Sequence, residues 1–219
     1  MHRSVRILGG GAVLAFAAAS AAAQTPVRMP ARAVSDTVVL AGGCFWGMQN
    51  LFEHVKGVTQ VVAGYSGGTA ATADYEDVSS ETTGHAESVE IAFDPSVITF
   101  QRLLDVFFLV GHDPTELDRQ GPDVGTSYRS AIFYRNDEQR HDAEAVIARL
   151  TAARVYPLPI VTQVVPLTAF YRAEDYHQDY AFHHPHNPYI VINDLPKVDH
   201  LRAKFPDLYR EAPVLTASR

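Results

Sequence analysis

The sequence predicts an α+β fold in which helices cover one or both faces of a mixed β-sheet within a single compact domain. Short β-branched or alternating runs, typical of strands, interleave with segments whose apolar residues recur at helical spacing. A chain of 219 residues that is 47% hydrophobic is sufficient for one good core. The glycine-rich stretches at 9–11 and 64–68 lack the spacing of a phosphate-binding loop, so a nucleotide-binding fold is not indicated.

Residues 1–23 predict a secretory signal peptide that is not part of the fold. Arg3 and Arg6 precede an apolar run over residues 7–19, and small residues complete the segment, which is the order of a cleaved export signal. The run is shorter than the roughly 20 residues that a membrane-spanning helix needs. We therefore expect cleavage before Gln24, no membrane span in the mature chain, and export, which in a bacterium leads to the periplasm.

A linker and then a single domain over residues 37–210 are expected to follow. Residues 24–36 have two prolines, two arginines and no apolar periodicity, so they indicate an exposed linker. Residues 37–41 form a β-branched run, two glycines come next, and residues 44–55 keep apolar side chains at helical spacing. The first unit is therefore strand, tight turn and helix. Residues 211–219 are expected to be a flexible tail.

Strands and helices alternate after this first unit. The clearest strand is the strictly alternating run at 88–93, and the clearest helix opens with the start signal Asn-Asp-Glu at 136–138. Strands are predicted at 58–65, 88–93, 127–134 and 160–166, and helices at 99–110, at 136–153 and from Ala173, with LRAKF at 201–205 near the C-terminus.

The composition excludes several classes of function. The chain has a single cysteine, so it can form neither an intramolecular disulfide nor a four-cysteine zinc or iron–sulfur site. Its formal charge is −7 and it has no block of Lys and Arg, which argues against nonspecific binding to nucleic acid. We accordingly expect no nucleic-acid partner.

Cys44 is the candidate nucleophile. It follows two glycines and begins a predicted helix, so its sulfur lies near unpaired backbone N–H groups and the positive end of the helix dipole. That environment favours the thiolate and lowers the pKa of the thiol. The alternative is an inert buried cysteine, the usual role of a thiol inside a helix or strand. Phe45 and Trp46 follow directly and predict either an apolar pocket wall beside the sulfur or plain core packing.

Polar residues in two loops are candidates for proton transfer and hydrogen bonding. Glu87 stands where a loop leads into the strand at 88–93. A buried carboxyl at this position stays protonated and serves as a general acid, whereas an exposed strand-end Glu has no such role. Tyr75 precedes the same loop, and Asp123 and Tyr128 lie in a second loop rich in Gly and Pro. Such loop residues are turn formers unless the loop borders a pocket.

Five short motifs together resemble the A class of peptide methionine sulfoxide reductases. They occur in order: GCFWG at 43–47, TGHAE at 83–87, HDP at 112–114, RQGPDVGTSYRS at 119–130 and AEDYHQDY at 173–180. The resemblance implies a two-layer, ferredoxin-like α+β sandwich with no metal and no bound organic cofactor. It also implies reduction of the S epimer of methionine sulfoxide in oxidised proteins and peptides or in the free amino acid, since one enzyme class acts on each epimer.

The resemblance also implies roles for individual residues. It places the nucleophile at Cys44, the acid at Glu87, an aromatic pocket for the substrate methyl group at Phe45 and Trp46, and supporting hydrogen-bond groups at Tyr75, Asp123 and Tyr128. The chemistry agrees, because the oxygen of a sulfoxide leaves only when protonated, so a thiolate, a proton donor and hydrogen-bond donors are required. Attack on the sulfur would release methionine and leave the cysteine as a sulfenic acid.

The chain departs from many relatives because it has no second cysteine. Relatives often carry further cysteines after the tyrosine loop or near the C-terminus, where this chain has Ser79 and Ser80 and the segment 188–205. We therefore predict a one-cysteine cycle in which an external thiol, from a small molecule or a thioredoxin-like protein, reduces the enzyme. We expect a monomer. Pro122 and Val124, which flank the loop aspartate, are also unusual for the family.

Two other functions remain open at this point. Four histidines are spaced closely enough to bind zinc or copper, although a solvated run at a helix end is the simpler interpretation: His177, His183, His184 and His186. Activation of Cys44 by His85 or His112 would instead make a cysteine hydrolase or acyltransferase, but the sequence offers neither histidine an obvious orienting partner.

Overall fold

The computed structural model describes residues 1–2 and 35–216 of the chain. The predicted signal peptide, apart from its first two residues, and most of the predicted linker lie outside the described residues, as do residues 217–219. The described residues from 35 onward belong to one compact unit. Within the part of the chain described, no helix is both long and apolar enough to cross a membrane.

Eight strands occur among the described residues, and six of them form one mixed β-sheet. The strands in chain order are β1 (Asp36–Gly42), β2 (Val58–Ser66), β3 (Ala86–Phe93), β4 (Arg119–Gln120), β5 (Asp123–Val124), β6 (Ser130–Tyr134), β7 (Gln163–Pro166) and β8 (Phe170–Arg172). The sheet has the order β7-β6-β1-β3-β2-β8, and β4 pairs separately with β5. Neighbours in the sheet run antiparallel except β6 and β7, which run parallel. The prediction of a mixed sheet is therefore confirmed.

Six α-helices occur among the described residues and connect the strands. They are α1 (Phe45–Glu53), α2 (Tyr75–Val78), α3 (Phe100–Val106), α4 (Asp137–Ala152), α5 (Tyr180–His183) and α6 (Leu195–Lys204). A π-helical turn extends α3 over Phe107–Gly111, and another precedes α6 over Ile190–Asp194. The predicted start of α4 is observed, because the Asn136 side chain accepts a hydrogen bond from the backbone N–H of Gln139 at 2.8 Å.

The main hydrophobic core lies between one face of the sheet and the helices. Alternate strand residues such as Val38 and Leu40 of β1 pack there against buried residues of α1, α3 and α4. The intervening residues Val39 and Ala41 face a smaller apolar cluster that includes Phe133 of β6. Because the large core holds the helices and the small one does not, the molecule is a two-layer sandwich, as expected.

The structure differs from the local predictions in three places. Strand β8 and the hairpin of β4 and β5 were not predicted, because these strands are only two or three residues long. The strand expected at 127–134 begins at Ser130, since residues 126–128 form a 3-10 turn. The helix expected from Ala173 is broken, because Asp179 has a φ of +52°, a left-handed backbone conformation that interrupts a helix.

The segment beyond residue 210 is attached to the domain over part of its length. The backbone N–H of Val214 donates to the carbonyl of Glu53 at 3.1 Å, and that of Thr216 donates to a carboxylate oxygen of Asp179 at 3.0 Å. The Thr216 hydroxyl also donates to the carbonyl of Val61. Residues 211–216 are therefore not the flexible tail that the sequence predicted.

Candidate active site

Two glycines at the end of β1 place Cys44 at the start of α1. Gly43 has a φ of +89°, and a Cβ atom there would lie 2.6 Å from Cγ of Gln120. Glycine is therefore required both for the backbone conformation and for the space. The turn makes Cys44 the N-cap residue of α1, and its side chain is 8% exposed.

Glu87 approaches the same helix start from the neighbouring strand β3. Its Oε2 atom accepts a hydrogen bond from the backbone N–H of Phe45, the first residue of α1, at 2.9 Å. The side chain is 4% exposed, so the alternative of an exposed strand-end glutamate is wrong. Burial raises the pKa of Glu87 to about 8; the Phe45 N–H opposes this rise, and the carboxylates of Asp123 and Glu81 add to it.

The resting thiol differs from the expectation. Burial raises the pKa of Cys44 well above its usual range, and the carboxylates of Glu87 and Asp194 raise it further. The backbone N–H of Trp46 lowers the pKa, as expected at a helix start, and Lys197 also lowers it, but both effects are smaller. The prediction of a lowered pKa is therefore wrong, because removal of the sulfur from water outweighs the helix N–H groups. A pKa raised in this way favours the neutral thiol in the free protein at neutral pH.

A cavity of about 160 Å³ opens beside these two groups, and all seven predicted site residues line it together with Tyr189. Phe45 and Trp46 come from the start of α1, Tyr75 from the start of α2, and Glu87 from β3. The other two residues, Asp123 and Tyr128, lie in the loop that was predicted from a separate motif. The loop that carries this last pair borders a pocket, which is the condition under which such residues are more than turn formers.

Both aromatic residues after Cys44 are fixed by packing. Phe45 is buried in the main core while also lining the cavity, so the two interpretations of this residue hold together. The ring of Trp46 stacks on Tyr180 with a centroid separation of 3.9 Å. Its indole N–H donates to Nδ1 of His177 at 3.1 Å. These contacts hold the indole in one orientation at the cavity wall.

Carboxylates outside the predicted set hold the loops in position. Glu81 accepts hydrogen bonds from the backbone N–H and the hydroxyl of Ser127, at 2.7 and 2.6 Å, and so fixes the turn before Tyr128. Glu174 accepts from the backbone N–H of Tyr75 at 3.0 Å. The cavity is therefore bounded by side chains whose backbone is anchored from elsewhere in the fold.

A comparison with protein families gives the decisive match. A family model described as peptide methionine sulfoxide reductase matches residues 36–208 of the chain. The chain belongs to the peptide methionine sulfoxide reductase family. The resemblance carried by the five motifs is thereby confirmed, and the protein is an oxidoreductase of methionine sulfoxide.

Individual reductases are similar over most of the chain. The reductase MsrA 2 of Mesorhizobium japonicum is 54% identical over 184 residues, which cover 84% of this chain and 94% of the relative. MsrA of Thermus thermophilus is 48% identical over 175 residues, which cover 80% and 98%. Methionine sulfoxide reductase A of Corynebacterium diphtheriae has a similar structure, with a TM-score of 0.62, 32% identity and coverage of 72% and 78%. Mxr1 of Saccharomyces cerevisiae in its reduced form gives a TM-score of 0.64, 30% identity and coverage of 70% and 87%.

The two histidines considered for activation of Cys44 have other hydrogen-bond partners in this reductase. His85 contacts the backbone of Gly68 and Thr69 through its two ring nitrogens, at 3.3 and 3.0 Å. His112 contacts the carbonyl of Phe107 at 3.0 Å and the hydroxyl of Ser130 at 2.7 Å. Among residues 35–216, no three His, Cys, Asp or Glu side chains are grouped so as to hold a metal ion. Both alternatives therefore lack a supporting contact within the described residues.

Three residues near Cys44 were missed by the sequence reasoning. Tyr189 lines the cavity and donates a hydrogen bond to Asp123, and nothing in its sequence context indicates this. Asp194 and Lys197 form an ion pair with an N–O distance of 3.0 Å. Their spacing of three residues at the start of a helix is a signal for such a pair, although it does not indicate a place beside the reductase's cysteine.

Proposed function

We propose that this reductase acts on the S epimer of methionine sulfoxide, in proteins and in the free amino acid, with Cys44 as nucleophile and Glu87 as acid. One observation carries the proposal: the single cysteine and a buried carboxyl with a pKa of about 8 line one cavity at the start of α1. A carboxyl with that pKa is largely protonated at neutral pH and has a proton to give. The choice of epimer rests on similarity to the A class, because one class acts on each epimer.

The first half of the cycle follows from these protonation states. Glu87 donates its proton to the sulfoxide oxygen as the sulfur of Cys44 bonds to the substrate sulfur, and the carboxylate left behind takes up the thiol proton. The hydroxyl then passes from the substrate sulfur to the sulfur of Cys44: the sulfur–oxygen bond at the substrate and the new sulfur–sulfur bond break, and a sulfur–oxygen bond to Cys44 forms. Methionine leaves and Cys44 becomes a sulfenic acid, whose hydroxyl carries the proton that Glu87 gave, while the thiol proton restores the acid form of Glu87.

The remaining cavity residues bind the substrate in this proposal. The rings of Phe45 and Trp46 provide an apolar surface for the methyl group attached to the sulfoxide sulfur. The hydroxyls of Tyr75 and Tyr128 donate hydrogen bonds to the oxygen as it gains negative charge. Asp123, which accepts a hydrogen bond from Tyr189, supports the cavity wall.

The second half of the cycle requires a reductant from outside the chain. The chain has one cysteine, so no internal thiol can attack the sulfenic acid. We assign this step to an external thiol, either a small molecule or a thioredoxin-like protein, which forms a mixed disulfide with Cys44 and releases water. A second thiol then restores the cysteine. No bound organic cofactor and no metal enter this scheme.

Export and a monomeric state complete the proposal. The charged, apolar and small-residue order of residues 1–23 supports export, which in a bacterium places the enzyme in the periplasm for the repair of oxidised methionine. The N-terminal residue of the mature protein tests this part, with Gln24 as the expected result. An intact Met1 in a cytosolic fraction would refute it.

An epimer assay tests the reaction itself. N-acetylated S and R methionine sulfoxides are offered to the enzyme with a thiol reductant, and methionine formation is measured for wild type and Cys44→Ser. We expect turnover of the S epimer by wild type alone, and a trappable sulfenic acid at Cys44 when the reductant is omitted. Activity on the R epimer alone, or activity that survives Cys44→Ser, would disprove the proposal.

A further inference from the structure

A second cavity borders Cys44 and has no role in the chemistry proposed above. Its volume is about 90 Å³, and its lining includes Gln120, Asn193 and Lys197. It shares Asp123 and Tyr189 with the substrate cavity, so this hydrogen-bonded pair forms a common wall between the two spaces. The cysteine is therefore bordered by two cavities with otherwise different linings.

Lys197 brings a positive charge to this second cavity. Its Nζ atom lies 3.0 Å from Oδ1 of Asp194, whose side chain is fully buried, while the lysine side chain is 17% exposed. Gly47, in the first turn of α1, leaves room for the pair, because a Cβ atom there would lie 2.0 Å from Oδ1 of Asp194 and 2.5 Å from Nζ of Lys197. The ammonium group is thus held against the backbone of α1 within one turn of Cys44.

We propose that the second cavity is the site at which the external thiol reaches oxidised Cys44, and that Lys197 binds the incoming thiolate. The inference rests on the one-cysteine cycle proposed above. Substitution at a divalent sulfur proceeds in line, so the thiolate must approach from the side away from the leaving oxygen. That oxygen lies in the substrate cavity, where Glu87 delivered the proton, and this leaves the second cavity for the thiol.

The size of the second cavity and the ammonium group of Lys197 at its wall suit a thiolate. Its volume of about 90 Å³ equals that of about three water molecules, which accommodates the CH₂–S group of a cysteine or small thiol. The attacking species is the thiolate rather than the thiol. A held ammonium group stabilises this anion at the point of attack, and Asp194 keeps the ammonium in place.

The step balances in atoms and electrons. The thiolate sulfur bonds to the sulfur of Cys44, the sulfur–oxygen bond breaks, and the oxygen leaves as water with its own hydrogen and a proton from Glu87. A second thiolate then attacks the mixed disulfide and releases Cys44 as a thiolate, which is reprotonated. The two thiols supply both electrons and leave as a disulfide.

A two-stage experiment separates this inference from the proposed function. The enzyme is first mixed with one equivalent of the S sulfoxide and no reductant, and the burst of methionine is measured. The sulfenic acid is then mixed with 2-mercaptoethanol, and the mixed disulfide is followed by mass spectrometry. For Lys197→Met we expect a burst within about twofold of wild type and a rate constant for thiol attack that is about tenfold lower, as befits the loss of one charged contact.

Three further variants make the result specific. Lys197→Arg keeps the charge and should recover most of the rate. Lys197→Met leaves the buried carboxylate of Asp194 without its partner, so the double variant with Asp194→Asn is included, and it should show the same fall. Lys204→Met, an exposed lysine at the end of α6, should react like wild type.

Each outcome has a separate meaning. Thiol attack at the wild-type rate in both Lys197→Met and the double variant would overturn the inference, and so would a methionine burst that slows as much as thiol attack does. If wild type gives no burst at all, the proposed function fails instead. A burst of normal size with slow thiol attack in both variants supports the assignment of the second cavity.

Discussion

Helix α1 has a buried carboxyl at each end, and the two carboxyls differ in what faces them. At its start, Glu87 accepts the N–H of Phe45 and lines a cavity with Cys44. In its last turn, Glu53 is 1% exposed and faces a second carboxyl, Asp179. Burial is the main cause of a raised pKa in both cases, to about 8 for Glu87 and to about 10 for Glu53.

The difference shows that a raised pKa reports removal from water and not catalysis. Glu53 has the larger shift of the two, yet its surroundings are structural. Its neighbour Asp179 is tied by Gln49, whose side-chain oxygen accepts the backbone N–H of Asp179 at 2.9 Å, and by Thr216. Glu87 has the smaller shift but has space for a substrate and a nucleophile beside it. The cavity, and not the pKa, distinguishes the proposed acid from the structural group.

The largest expected effect is the loss of activity in Glu87→Gln. Glutamine keeps an oxygen for the N–H of Phe45 but has no proton to donate, so kcat should fall about 100-fold or more while KM changes little. Steady-state assays with the S epimer measure both constants. The matched control is Glu53→Gln, which should keep kcat within about twofold. Equal activity of the two variants would remove the functional distinction between the two ends of α1.

The next effect is on stability, and it belongs to Glu53. Its folded pKa of about 10 lies above the unfolded value of 4.5, so the stability it contributes is complete below pH 4.5 and is lost as pH rises towards 10. Each unit of pKa shift corresponds to about 1.4 kcal/mol at most. Glutamine does not ionise, so Glu53→Gln removes this loss of stability at high pH. The free energy of unfolding of the variant should exceed that of wild type by about 2 kcal/mol at pH 8, with little difference near pH 4.

Denaturant unfolding at several pH values checks this second prediction. The difference between Glu53→Gln and wild type should grow steadily from pH 5 to pH 9. Glu87→Gln should show the same trend over a narrower range that ends near pH 8, because its folded pKa is lower. A difference independent of pH would mean that Glu53 is not protonated in the folded protein.

Hydroxyl deletions at the active end should have a smaller effect. Tyr75→Phe and Tyr128→Phe each remove one of the proposed donors to the sulfoxide oxygen, and each should lower kcat about tenfold. Single-turnover formation of methionine is the appropriate measurement, since it excludes the reductant step. Tyr65→Phe is the control, because that hydroxyl donates to Glu174 at 2.9 Å and not to the substrate. Unchanged rates in the first two variants would remove the tyrosines from the mechanism.

The sequence predicted the active end of α1 much better than the opposite end. The turn, the helix start and the alternation of β3 are local patterns, so Cys44 and Glu87 could be found from their neighbours in the chain. The thiol pKa was predicted in the wrong direction because burial depends on residues distant in sequence. The pairing of Glu53 with Asp179 likewise joins residues far apart in the chain, as does the contact of Asp179 with Thr216.

The smallest expected effect tests how firmly the end of the chain is held. The hydroxyl of Thr216 donates to the carbonyl of Val61. Thr216→Val keeps the shape and removes this one bond, so the free energy of unfolding should fall by about 1 kcal/mol. Thr72→Val, which removes an exposed and longer hydrogen bond of 3.3 Å to the carbonyl of Thr69, should change it by less than about 0.5 kcal/mol. Activity should be unaffected in both, because neither residue lines the substrate cavity. If Thr216→Val is as stable as wild type, the hydroxyl does not help to anchor residues 211–216 beside Asp179, and the backbone N–H groups of Val214 and Thr216 hold the segment instead.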